Sequence, residues 1–135
     1  MAAAGVVLTN LNLTPGHCVE IKALIPEDCK GFAINLGKDA SNYLIHLNAR
    51  FLLHGDTNKI VCNSKEGDAW GTEQREDAFP FQQGAETMIC FEYQPDKLVV
   101  KLSSGEQFSF PVRMPLDSIS FLSLEGILMK SITVE

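Results

Sequence analysis

The chain has 135 residues, 45% of them hydrophobic and 21% charged, which suits one globular domain with room for a proper core. It has no apolar run long enough to cross a bilayer, and a net charge of -6 opposes general affinity for nucleic acid or anionic lipid. Cys18, Cys29, Cys62 and Cys90 form no CxxC pair and no zinc-type spacing with histidine, so reduced, mostly structural thiols are expected and no metal site.

Short runs of Val, Ile, Phe and Leu recur along the chain, separated by turn residues such as Pro15-Gly16, Gly55-Asp56, Pro95-Asp96 and Ser104-Gly105. That rhythm predicts strands at residues 6–10, 18–24, 32–36, 43–51, 59–65, 71–75, 86–92, 98–102, 107–110, 119–124 and 128–134. About eleven short strands imply an all-β domain of two packed antiparallel sheets. Only residues 116–121 suggest a helical turn, and no repeat or linker marks a second domain over residues 1–135. The amino-terminal stretch from Met1 to Asn10 lacks a charged leader, and Thr9 and Asn10 interrupt its apolar run, which predicts cytosolic synthesis. Without a leader, the sequon Asn12-Leu13-Thr14 reads as a chance match.

The run from Tyr43 to Phe51 places His46, Asn48 and Arg50 at alternate positions, with Ile45, Leu47, Ala49 and Phe51 between them. In a strand the two sets face opposite ways, so an imidazole, an amide and a guanidinium form a polar row roughly 13 Å long on a sheet anchored by the other set. Such a row has the mixture of donors and acceptors that sugar hydroxyls need, although an ordinary solvated strand face has the same pattern. In the next predicted strand Asn63 is a polar residue among apolar neighbours, suited either to complete the row or to satisfy a turn.

Residues 70–75 then supply the only tryptophan, Trp70, with Glu73 and Arg75. Trp70 has the wrong parity to share a face with Glu73 and Arg75 on a regular strand, so an irregular entry is expected, with Gly71 providing backbone freedom. The polar stretch before it points to a partly exposed ring, which the apolar face of a pyranose can cover. Glu73, between Arg50 and Arg75, is expected to stay ionised and accept hydroxyl hydrogen bonds, while the same ion pairs also fit a purely structural role.

These residues resemble the galectins, specifically the prototype single-domain members. The likeness rests on His46-Leu-Asn48-Ala-Arg50-Phe, His54-Gly-Asp56, Asn58-Lys-Ile-Val-Cys-Asn63-Ser-Lys and Trp70-Gly-Thr-Glu73-Gln-Arg75, with flanking support from Asn35-Leu-Gly-Lys-Asp39 and Phe79-Pro-Phe81. The resemblance implies a jelly-roll β-sandwich and metal-independent binding of β-galactosides such as lactose and N-acetyllactosamine, with no cofactor. It implies that His46, Asn48 and Arg50 grip the axial 4-hydroxyl of galactose, that Asn63 and Glu73 hold the 6-hydroxyl, and that Trp70 stacks on the apolar face. Glu73, Arg75 and Arg50 then reach the adjoining sugar, and His54 stands at the far edge of the site. It further implies a homodimer through the terminal strands, glycoprotein or glycolipid glycans as partners, and release from the cell without a signal peptide. Outside the cell, the unpaired cysteines are exposed to oxidation.

Several positions depart from the family pattern. Leu47 and Ala49 stand where Phe and Pro are usual, Leu52 and Leu53 where the family is more polar, and Val112 where Asn is usual in the turn at residues 110–113.

Two other classes of function compete. A glycoside hydrolase needs two carboxylates facing across the sugar at roughly 5–9.5 Å. The cluster offers Glu73, and Asp56 beside His54 and Arg50 fits an ion pair better than a second catalytic acid, so a binding protein is expected rather than an enzyme. A protein-docking scaffold is the other class, because residues 6–13 and 127–134 are apolar on both parities and exposed edge strands must be covered.

Overall fold

A computed structural model describes residues 5–135; residues 1–4 of the amino-terminal stretch considered above lie outside the described residues. Twelve strands follow in chain order: β1 (Val6–Leu8), β2 (Cys18–Leu24), β3 (Gly31–Asp39), β4 (Asn42–Leu53), β5 (Asp56–Glu66), β6 (Ala69–Trp70), β7 (Gln74–Glu76), β8 (Glu86–Tyr93), β9 (Lys97–Leu102), β10 (Gln107–Pro111), β11 (Phe121–Glu125) and β12 (Leu128–Val134). They form two antiparallel sheets, one ordered β1-β11-β3-β4-β5-β6 with β7 also pairing β5, the other β10-β9-β8-β2-β12. The expected β-sandwich is therefore the fold, with one strand more than the sequence suggests.

The extra strand is β6 at Ala69–Trp70: one strand was expected at residues 71–75, and the chain instead pairs with β5 twice, through β6 before that stretch and β7 at its end. Residues 71–73 are unpaired between β6 and β7. The other correction concerns residues 116–121, which make no helical turn: Ile119 forms an isolated bridge with Leu13 and Phe121 opens β11. Leu13 and Ile119 are both buried, so core contact outweighs the local turn preference.

Alternation builds the sandwich. In β2, Val19, Ile21 and Ala23 are buried while Glu20 and Lys22 face outward, and in β8 Ile89, Phe91 and Tyr93 point inward. They meet Ile34, Leu36, Ile45, Leu47, Ala49 and Cys62 from the facing sheet. Each fully buried Leu, Ile or Phe contributes roughly 1.5–3 kcal/mol of transfer free energy. Leu47 and Ala49, which depart from the family pattern, lie on this inner face, and Val112 packs against the core with its N–H donating to Asp96 O. Cys29 and Cys62 are buried, Cys18 and Cys90 half-buried, and all four thiols are free. Burial pushes Cys62 well above the ordinary thiol range and Cys90 up to about 11, so both are held as poorly nucleophilic thiols.

Among the described residues no helix is long and apolar enough to cross a membrane, and no cluster of three or more His, Cys, Asp or Glu side chains is placed to hold a metal ion.

The start of β4 runs very close to β3. The register slips on both sides of Gly37, and a methyl group there would fall 2.1 Å from Asn42 O and 2.8 Å from Tyr43 Cα, both backbone atoms. Gly37→Ala is expected to cost about 2–3 kcal/mol and lower the melting temperature by roughly 10 °C. Gly16→Ala, at a positive φ of 94° with open space around it, is expected to cost only about 1 kcal/mol. Equal shifts for the two variants in a calorimetric scan would show that the close approach at Gly37 does not constrain the fold.

Candidate functional site

On the outer face of the larger sheet, the pairing of β3, β4, β5 and β7 sets polar side chains in rungs. Asn35, His46 and Asn63 are direct partners across β3, β4 and β5, and Ala33, Asn48, Val61 and Arg75 form the next rung. Because successive side chains in a strand point to opposite faces, these rungs look away from the core that Leu47, Ala49 and Cys62 enter. A cleft of about 480 Å³ lies over them, lined by His46, Asn48, Arg50, His54, Val61, Asn63, Trp70, Gly71 and Glu73. Seven of the eight candidate residues thus line one cleft. Arg75, the eighth, borders it through ion pairs.

Trp70 reaches the cleft by the break in the strand. β6 places Trp70 opposite Lys65, whereas β7 places Arg75 opposite Val61, a register one residue out of step. That slip gives Trp70 and Arg75 the same side of β5 despite their opposite parity, as the irregular entry requires. The role of Gly71 differs from expectation: its φ is not in the left-handed region, and it is needed for space instead. A methyl group at Gly71 would fall 2.7 Å from Ser64 Oγ and 3.0 Å from an Arg113 guanidinium nitrogen. The indole is 52% exposed and lies 4.9 Å from the His46 ring, centroid to centroid, at a 60° tilt.

The polar groups are tightly interlocked. Arg50 donates through Nε to Asn48 Oδ1 at 2.7 Å and through Nη1 to Asp56 Oδ2 at 2.7 Å. Asn48 in turn donates to Phe32 O at 2.9 Å. Arg75 donates to Asp56 Oδ1 at 2.7 Å and to Glu73 Oε1 at 3.2 Å. The residue between the two guanidiniums is therefore Asp56; Glu73, expected there, pairs with Arg75 alone. The Arg75 and Arg50 hydrogen bonds hold the Asp56 carboxyl below the usual carboxylate range. A carboxylate so held is a poor proton donor, so Asp56 does not suit the acid role of a hydrolase.

Asn63 donates to Gly71 O at 3.1 Å while its Oδ1 accepts from Ser64 N at 2.8 Å. Arg113, stacked 4.7 Å from the Phe110 ring, braces the same corner from the far end of the chain, donating to Ser64 Oγ at 3.0 Å and Asn63 Oδ1 at 3.4 Å. Sequence reasoning passed over Arg113. The signal available was the guanidinium that ends the turn at residues 110–113, next to Val112, which departs from the family pattern.

His54 occupies the two-residue turn between β4 and β5, where it and Gly55 take φ of 51° and 81°, the pairing a type I′ turn demands. It borders both the main cleft and a second hollow of about 320 Å³ that continues over Gly31, Ala33, Leu53 and Glu125. The surroundings of His46 disfavour its protonation. Burial, then Lys65 and Arg50, lower its pKa to about 4, so the imidazole is neutral at physiological pH.

A family model described as galactoside-binding lectin matches residues 5–134. Galectin-1 of Rhinella arenarum is 74% identical over 134 residues, covering 99% of this chain and 100% of the relative. A toad ovary galectin solved in complex with thio-digalactose has a TM-score of 0.98 at 74% identity, covering 99% of this chain and 100% of that one. A homodimeric agglutinin from chicken liver, CG-16, has a TM-score of 0.93 at 43% identity, covering 98% and 100%. The chain belongs to the galectins, a family of galactoside-binding lectins and not of enzymes.

Proposed function

We propose that residues 1–135 act as one carbohydrate-recognition domain that binds β-galactosides, such as lactose and N-acetyllactosamine, without a metal ion. The observation that carries this reading is the half-exposed indole of Trp70 standing against the polar row of His46, Asn48 and Arg50 in one cleft. A galactose ring laid on the indole covers its apolar surface. Its axial 4-hydroxyl then meets His46, Asn48 and Arg50, its 6-hydroxyl meets Asn63 and Glu73, and the adjoining sugar lies towards Arg50, Glu73, Arg75 and the His54 edge. The toad ovary relative with thio-digalactose supports the same ligand class.

The terminal strands support a homodimer that cross-links glycans. β1 and β12 each end a sheet, and Val7, Leu128 and Met129 on them are 63%, 46% and 39% exposed. Apolar edge strands of this kind need a partner, and a second copy supplies one by symmetry. CG-16 is itself described as homodimeric. Two sites on one particle would serve glycoproteins or glycolipids at the cell surface.

A glycan array probed in the absence of calcium should show binding to lactose and N-acetyllactosamine, and Trp70→Leu should weaken it by about 2 kcal/mol, roughly thirtyfold in Kd. Equal binding by both proteins would remove Trp70 from the site.

The neutral imidazole sets the pH response. Folding depresses the His46 pKa to about 4 from an unfolded value near 6.5, with Arg50 on its own strand and Lys65 on β5 as the facing cations. The unfolded chain therefore binds the proton more tightly between those values. Stability is full above pH 6.5 and erodes by on the order of 3 kcal/mol as the pH falls through about 4. Lactose affinity, which depends on the folded-state value, should stay flat from pH 7.5 to about 5 and drop near 4 in calorimetric titrations; a midpoint near 6.5 would refute the assignment.

Sedimentation velocity at micromolar concentration should give a dimer near twice the monomer mass, and Val7→Asp combined with Met129→Asp should shift it to monomer while leaving lactose affinity unchanged. A wild-type monomer would exclude the bivalent reading.

A further inference from the structure

The most buried polar side chains on the larger sheet lie behind the cleft. Asn35 is 1% exposed and Ser123 is 5% exposed, yet both point outward from the core face. They share a rung with His46: Ser123 on β11 pairs with Asn35 on β3, which pairs with His46 on β4. Asn35 Nδ2 donates to Ser123 Oγ at 2.9 Å, and Asn35 Oδ1 lies 2.5 Å from His46 Nδ1. Ser123 Oγ thus takes the Asn35 amide N–H, which leaves the Asn35 carbonyl oxygen for the imidazole.

The inventory of the cleft makes this orientation matter. Asn48 Oδ1 is taken by Arg50, Asn63 Oδ1 by Ser64 N and Arg113, and both Asp56 oxygens by arginines. What remains free towards a ligand is mostly donors: the spare N–H groups of Arg50, Asn48 and Asn63. A hydroxyl that accepts from two of these must still place its own hydrogen. Among the described residues the acceptors with no bond inside the protein that face it include the second oxygen of Glu73 and, if unprotonated, Nε2 of His46.

We propose that Asn35 and Ser123 are positioning residues that set the tautomer of His46, keeping its proton on Nδ1 so that Nε2 offers a lone pair to a sugar hydroxyl. The inference rests on the β-galactoside reading for the identity of the hydroxyl, but not for the tautomer. With the Asn35 amide reversed, Nδ1 would have to accept, the proton would move to Nε2, and His46 would become one more donor in a donor-rich row. The Arg50 guanidinium, which lines the same cleft, also favours the lone pair on that side.

Long-range proton–nitrogen NMR on histidine-labelled protein at pH 7.5, without ligand, reads the tautomer directly. The expected spectrum shows Nδ1 of His46 protonated; a protonated Nε2 in the free wild type overturns the proposal. Ser123→Ala should populate both tautomers and weaken lactose binding three- to tenfold, and Ser123→Thr, which restores the hydroxyl, should return both to wild type. Asn35→Leu, if folded by circular dichroism, should move the proton to Nε2 and lower affinity at least tenfold. Variants that lose affinity with the tautomer unchanged would reduce the pair to a packing role and overturn the inference. A wild type with the expected tautomer but no lactose binding would instead sink the galactoside reading alone.

Discussion

Every group in the cleft takes its direction from the pairing of β4 with β3 on one side and β5 on the other. β4 alternates strictly from His46 to Arg50, so a slip of one residue would bury an imidazole, an amide and a guanidinium and expose Leu47 and Ala49. Burying even one unpaired charge costs far more than any hydrogen bond in the site returns. The register is thus enforced by the core, and the polar row is its consequence on the other face. The irregularity in β4, between Tyr43 and His46, lies just before the row, where Leu44 and Ile45 are both buried. That bulge lets Tyr43 join His46 and Trp70 on the outer face despite its odd number.

A second layer of constraint is electrostatic. Asp56 joins guanidiniums from β4 and β7, so two strands that do not pair with each other are tied together across β5. Only the Arg75 arm is half-exposed, where an ion pair contributes little to stability. The effect of Asp56 here is geometric: Arg50 is held at one end by Asp56 and at the other by Asn48, so its remaining N–H groups are aimed before any ligand arrives. Arg113 does the same for Asn63, whose Nδ2 also donates to Gly71 O. Such preorganisation reduces the ordering entropy that binding must overcome.

The strand pattern was legible wherever alternation alone decides it. Residues 18–24 and 128–134 match β2 and β12, and the apolar and polar faces of β4 follow from parity. What the sequence hid is non-local. The break between β6 and β7 shows only in their different registers on β5, which no local pattern encodes. Residues 116–121 carry a turn-like composition that a bridge to Leu13, over a hundred residues away in sequence, overrides. In the site, parity and composition suggested His46, Asn48, Arg50, Asn63, Trp70 and Glu73 as one cluster, whereas the pairing of Asp56 with both Arg50 and Arg75 required β5 to lie between them. Asn35 sits in a stretch quoted only as family flank; its place on the His46 rung is set by the β3 to β4 register.

The openness of the cleft decides where selectivity must come from. With half of the indole in solvent, shape alone discriminates poorly among hexoses. Polarity discriminates better, because a hydroxyl presented to a row of donors without an acceptor for its proton leaves a desolvated group unpaired, at a cost of about 1–3 kcal/mol. A site whose acceptors are nearly all consumed internally therefore places strong demands on the few that remain. The same openness limits the affinity of a single site, since few ligand atoms are fully desolvated. Under the proposed dimer, two such sites on one particle raise the effective concentration at a glycan-dense surface, and avidity then supplies binding strength that one shallow cleft lacks.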